Sequence, residues 1–161
     1  MTQLLRVSEA TIWKTVHAIR EAGAGDREAA AFWLGRVDRL EVDMIVVPTG
    51  PEVELFPLAL RISEQWMVRL ANLCEKTGRI VLGAAHSHPG EAFFSYVDAD
   101  GFFHAVDCVS VVLPAYGDTT WANARSDWAL FVGLRDNEWR PGSWDDDIAM
   151  GETTADLVEL A

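Results

Sequence analysis

The sequence predicts an α/β fold, a single domain in which a mixed β-sheet is flanked by helices. Two stretches with helical apolar spacing alternate with short β-branched runs, the order that builds a sheet with helices packed on it. The length, 161 residues, suits one hydrophobic core. No internal repeat, low-complexity tract or Pro/Gly/Ser-rich linker divides the chain.

The first element is a helix over residues 8–22. Ser8 can cap it, Ile12, Val16 and Ile19 fall on one face, and Gly23 stops it. Residues 22–26 form a Gly-rich turn. Two strands follow, 31–39 and 40–48. The second is rich in β-branched residues (Val42, Ile45, Val46, Val47) and is closed by Pro48 and Gly50. A second helix over 63–77 carries the stripe Trp66, Leu70, Leu73 and Cys74, with Gly78 at its stop. Strands over 79–85, 108–114 and 128–135, and a short helix between Asp98 and Asp107, complete the domain, which spans residues 1–144. Residues 145–161 contain six acids and no base. They are expected to form an acidic, solvated, partly frayed tail.

The formal charge of -12 argues against nucleic acid, because a phosphate backbone is bound by clustered Lys and Arg and none cluster here. The same charge would speed encounter with a basic protein. No run of eighteen apolar residues is present, so no membrane span is expected. The N-terminus has no basic region followed by a long apolar segment, so no signal peptide is expected either. Cys74 and Cys108 lie far apart with no CxxC pairing. They read as small buried hydrophobes of a protein in the reducing cytoplasm.

The chemistry concentrates at the end of the apolar run 80–85. His86-Ser87-His88-Pro89 is followed by Ser95-Tyr96-Val97-Asp98. Strand side chains alternate faces, so His86 and His88 can point the same way. Two imidazoles and a nearby carboxylate, Asp98 or Asp100, make a three-ligand site for Zn²⁺ that leaves the fourth position open. Cys108 could instead close the site and make it structural. Hydrolysis at an open site needs a carboxylate to take a proton from the attacking water and pass it to the leaving amine. Glu91 is nearest in sequence, and Glu28 could be carried beside the histidines by a sheet. Spacing alone does not choose between them. Ser95 is a candidate donor to the oxyanion. His17 reads as a surface residue and His104 as a packing residue. Trp33, Trp121 and Trp128 are either core or the lining of a peptide groove.

The order His-x-His-Pro, a short spacer, then Ser-x-x-Asp resembles the signature of the JAMM/MPN (Mov34/JAB-type) zinc metalloproteases. The upstream half is similar too, with Glu28 and a Gly seven residues later, Gly35, at the start of a strand. The resemblance spans Glu28 to Asp98, and the run ending at Pro114-Ala115-Tyr116-Gly117 resembles the strand that follows in bacterial members. Six residues separate His88 from Ser95 where the family pattern has seven, which puts a deletion in the turn at residues 90–94. The resemblance implies a cytidine-deaminase-like JAB/MPN fold, with Zn²⁺ on His86, His88 and Asp98. It also implies Glu28 as the proton shuttle and Ser95 as the oxyanion donor.

The implied activity is cleavage of isopeptide or peptide bonds after the C-terminus of ubiquitin or a ubiquitin-like protein. Minimal domains of this kind are typical of bacterial members. Some are encoded with ubiquitin-like, E1-like and E2-like proteins, and some such systems act in antiphage defence. Two alternatives stand beside this. Relatives with degraded motifs act as scaffolds, and the same site could release sulfur-carrier or metabolite conjugates.

Overall fold

The computed structural model describes residues 4–93, 95 and 103–161. Among these, the strands are β1 (Leu5–Val7), β2 (Ala30–Arg36), β3 (Glu41–Pro48), β4 (Val53–Phe56), β5 (Ala59–Ile62), β6 (Ile80–Ser87), β7 (Val109–Leu113), β8 (Ala129–Gly133), β9 (Trp139–Pro141), β10 (Ile148–Met150) and β11 (Asp156–Leu160). The helices are α1 (Glu9–Gly23), α2 (Glu64–Thr77) and the single turn α3 (Ala124–Asp127).

Nine strands form one mixed sheet in the order β10-β1-β3-β2-β6-β7-β8-β9, with β11 also on β3, and β4 and β5 form a separate hairpin. The centre is β2, antiparallel to both β3 and β6, while β6 runs parallel to β7. This is the mixed sheet flanked by helices that the sequence predicts.

Both long helices start where a serine can accept an orphan N–H. Ser8 Oγ accepts from Thr11 N, and Ser63 Oγ accepts from Trp66 N. α1 lays Ile12, Val16 and Ile19, all fully buried, on one face of the sheet against Ala31, Trp33 and Ile45. α2 lays Trp66 and Leu70 on the opposite face against Phe32, Leu34, Val46 and Ala84. Phe32 stacks on Trp66 with ring centroids 5.3 Å apart. β2 is therefore buried on both faces, which is why it reads as a continuous apolar run instead of an alternating one. Its pairing with β3 is interrupted by a bulge between Leu34 and Gly35 and then continues to Arg36. A Cβ on Gly35 would lie 2.1 Å from the Glu41 carbonyl oxygen, so only glycine fits there.

Residues 145–161, expected as a frayed tail, instead supply two strands. β10 pairs with β1 and β11 with β3, both parallel. Composition is misleading here because the acids point outward or are paired, while the main chain is engaged in the sheet and Ile148 and Ala155 are buried. Arg125 pairs with Asp145 at 2.8 Å and Arg140 with Asp147 at 2.5 Å. Thr11 Oγ1 donates to Thr153 O and accepts from Ala155 N, and Trp66 Nε1 donates to Leu160 O at 2.8 Å.

Glu41 Oε1 accepts from Glu152 N at 2.8 Å and Thr153 N at 2.9 Å, joining the end of the chain to β3. The Thr153 N–H, more than any other group, holds the Glu41 carboxyl below its usual range. A depressed carboxyl stabilises the fold above its unfolded value of about 4.5 and loses that contribution as the pH falls through the folded value. Glu41→Ala is expected to cost about 1–3 kcal/mol at neutral pH. The difference from the native protein should shrink below pH 4.5. Urea denaturation at pH 7 and again in mild acid measures both, and a pH-independent difference would refute the anchor.

Candidate active site

The histidine strand is delivered deeper into the sheet than its apolar run suggests, because β6 continues through His86 and Ser87. Alternation then sorts the motif. His86 and His88 share one face, with ring centroids 5.1 Å apart, and Ser87 faces the other way. Both imidazoles are buried. The far side of His88 is held by β7, since its N–H donates to Leu113 O at 2.9 Å.

Glu28 reaches the histidines through the antiparallel register of β2 and β6, although it lies far from them in the chain. Ala30 pairs with His86, and two more bonds prolong the ladder: Ser87 N donates to Ala29 O at 3.0 Å, and Ala29 N donates to Ser87 Oγ at 3.1 Å. The next position on the histidine face is Glu28 opposite His88. The Glu28 N–H is fixed on the hairpin, donating to Phe56 O at 2.8 Å.

These residues share one cavity of about 620 Å³. Its lining includes Glu28, His86, His88, Glu91, Phe93 and Ser95, together with the hairpin residues Leu58–Ile62. The two carboxylates that spacing left open are separated by depth. Glu28 is 7% exposed, whereas Glu91 is an exposed rim residue. Phe93 packs edge-on against the His88 ring, with centroids 4.6 Å apart. On the opposite wall the Arg61 guanidinium lies over the Phe56 ring at 5.7 Å.

The proposed third ligand, Asp98, and its alternative Asp100 lie outside the described residues, as does the start of the short helix expected between Asp98 and Asp107. Among the described residues, no three His, Cys, Asp or Glu side chains cluster as a metal site. Cys108 does not line the cavity. It precedes β7 at the end away from His86, and burial pushes its thiol up to about 12. His17 is exposed on α1 and pairs with Glu21 at 3.1 Å. His104 contacts Glu138 O at 3.0 Å and the Trp139 ring. Trp33 is core, and Trp121 and Trp128 pack with Trp144 in a T-shaped cluster, so none of the three lines this cavity.

Sequence reasoning missed Ser87, whose hydroxyl completes the ladder beneath Glu28, and the whole β4–β5 wall. Ser87 had a signal, since a small polar residue between two same-face histidines must point into the opposite layer.

No protein-family model matches the chain, and no curated protein does. Among solved structures, it is similar to protein DSY2949 from Desulfitobacterium hafniense, with a TM-score of 0.61 at 16% identity, covering 91% of this chain and 92% of that one. It is also similar to AF2198, a JAB1/MPN domain protein from Archaeoglobus fulgidus, with a TM-score of 0.46 at 17% identity, covering 86% of this chain and 95% of that one. The likeness to DSY2949 shows a shared fold over nine-tenths of both chains.

Proposed function

We propose that the chain is a zinc-dependent isopeptidase or peptidase that cleaves after the C-terminus of a ubiquitin-like protein. The observation that carries this reading is the convergence of Glu28, His86, His88 and Ser95, from separate segments, on one cavity. Two buried imidazoles, His86 near the end of β6 and His88 just beyond it, are the donor chemistry zinc takes, and they open onto space for a substrate. His86 and His88 would hold the ion with Asp98. A bound Zn²⁺ supplies Lewis acidity and a water of lowered pKa.

The chain's own groups do the rest. Glu28 takes a proton from the attacking water as its oxygen adds to the carbonyl carbon, and delivers it to the amine as the C–N bond breaks. Ser95 donates to the carbonyl oxygen as charge builds there.

The hairpin favours an extended substrate. Ser63 N donates to Glu52 O, and bonded pairs alternate with unbonded ones from there through Glu54–Arg61 to Phe56–Ala59. Leu60 and Ile62 therefore turn their main-chain N–H and C=O away from β4, on the edge that walls the cavity. A C-terminal tail added along that edge is read by its main chain. Its terminal glycines would suit a narrow approach to the metal.

Zinc content by elemental mass spectrometry tests the metal without a substrate. Stoichiometric zinc in the native protein, lost in His88→Ala, is expected. A folded native protein that takes up no zinc after metal is added would favour the scaffold reading. The neighbouring reaction, release of sulfur-carrier or metabolite conjugates, would be separated by a substrate panel.

A further inference from the structure

The turn after β7 touches both walls of the cavity through one residue. Ala115 and Tyr116 are consecutive non-glycine residues in the left-handed region, with φ of 50° and 53°. That conformation is costly for L-residues, so it persists only where the surroundings hold it. Here each strained N–H is used. Ala115 N donates to Gly90 O at 2.9 Å, and Tyr116 N donates to His88 O at 2.7 Å. The Tyr116 side chain reaches the other way, and its hydroxyl donates to Pro57 O at 2.8 Å, at the tip of the hairpin.

We propose that Tyr116 is a positioning residue that sets the gap between the hairpin edge and His88. Its main chain holds the histidine end of the cavity, and its hydroxyl holds the substrate edge. The two functions are separable by mutation, because Tyr116→Phe removes only the second. The kinetic part of this inference rests on the peptidase reading above, whereas the mechanical part does not.

Hydrogen–deuterium exchange on the whole protein reads the mechanical part. In Tyr116→Phe, protection across Val53–Ile62 should fall by about threefold to tenfold, the loss of one ordinary hydrogen bond. Protection at residues 84–88 should be unchanged. Unaltered hairpin exchange would overturn the proposal. Equal loosening of the hairpin and the histidine strand would also overturn it, since that marks a general structural role.

With a ubiquitin-like fusion as substrate, KM should rise by a similar factor while kcat and zinc content hold, because the reacting groups stay in place. A fall in kcat at constant KM would refute the division of labour. If native protein and variant both fail to cleave, the peptidase reading is refuted, and the exchange result still decides whether Tyr116 couples the two walls.

Discussion

Glu28→Gln is expected to lower kcat/KM by about 10²–10⁴-fold, the range set by removing a positioned proton carrier. The substitution keeps the shape of the side chain and removes only its capacity to accept and return a proton. Folding and zinc content should therefore survive. The backbone supports this separation, since the main chain around Glu28 is held by the Glu28 N–H bond to Phe56 O and by the ladder between Ala29 and Ser87, which the substitution leaves in place. Glu91→Gln is the matched control. Glu91 lines the same cavity from an exposed position, and its loss should leave turnover nearly unchanged. Assay of both variants on a ubiquitin-like fusion decides the matter. Native-rate cleavage by Glu28→Gln would refute the mechanism, and a large loss in Glu91→Gln alone would move the proton carrier to the rim.

The largest stability effect is expected at Trp33. It is 1% exposed at the centre of β2 and packs under α1. Its Nε1 donates to Thr15 Oγ1 at 2.9 Å, and that hydroxyl donates on to Thr11 O at 2.9 Å. Trp33→Ala removes the side chain from a layer that cannot close around the gap, because α1 is fixed by its serine cap and by Thr11. The expected cost is about 3–5 kcal/mol. Against a net stability of about 5–15 kcal/mol this brings the domain near unfolding at ambient temperature. Trp33→Phe retains most of the packing and should cost less than half as much. Urea denaturation followed by circular dichroism reads both. A loss under about 1 kcal/mol for Trp33→Ala would mean that α1 and the sheet repack freely.

The elements legible in the sequence are those whose burial is strongly patterned. α1 and α2 carry serine caps and a clear apolar stripe, and β2, β3, β6, β7 and β8 are apolar runs bounded by glycine, proline or charge. The predicted strands overrun the turn at residues 37–40, where Leu40 adopts a left-handed φ of 48°. The hairpin is illegible because its strands are four residues each and carry the exposed charges Glu54 and Arg61. β1 and β10, three residues each, are too short for any period to show.

At the site, the histidine pair is a local signal and was read directly. The approach of Glu28 is set by the β2–β6 register, which no local pattern records, so residue spacing left it level with Glu91. The wall facing the histidines depends on the hairpin and was not visible at all.

The way the end of the chain is tied down bears on how the protein folds. Thr11 and Ala155 meet across 144 positions, and Trp66 meets Leu160 across 94. Contacts of such separation contribute nothing until a long loop has closed, and they slow folding in proportion. The antiparallel β2–β3 ladder, joined by a four-residue turn, carries no such delay. Nucleation at that ladder with α1, followed by late docking of β11 along β3, gives a definite kinetic signature. Substitutions in β2 should slow refolding, while substitutions at Val158 or Leu160 should leave the refolding rate alone and speed unfolding.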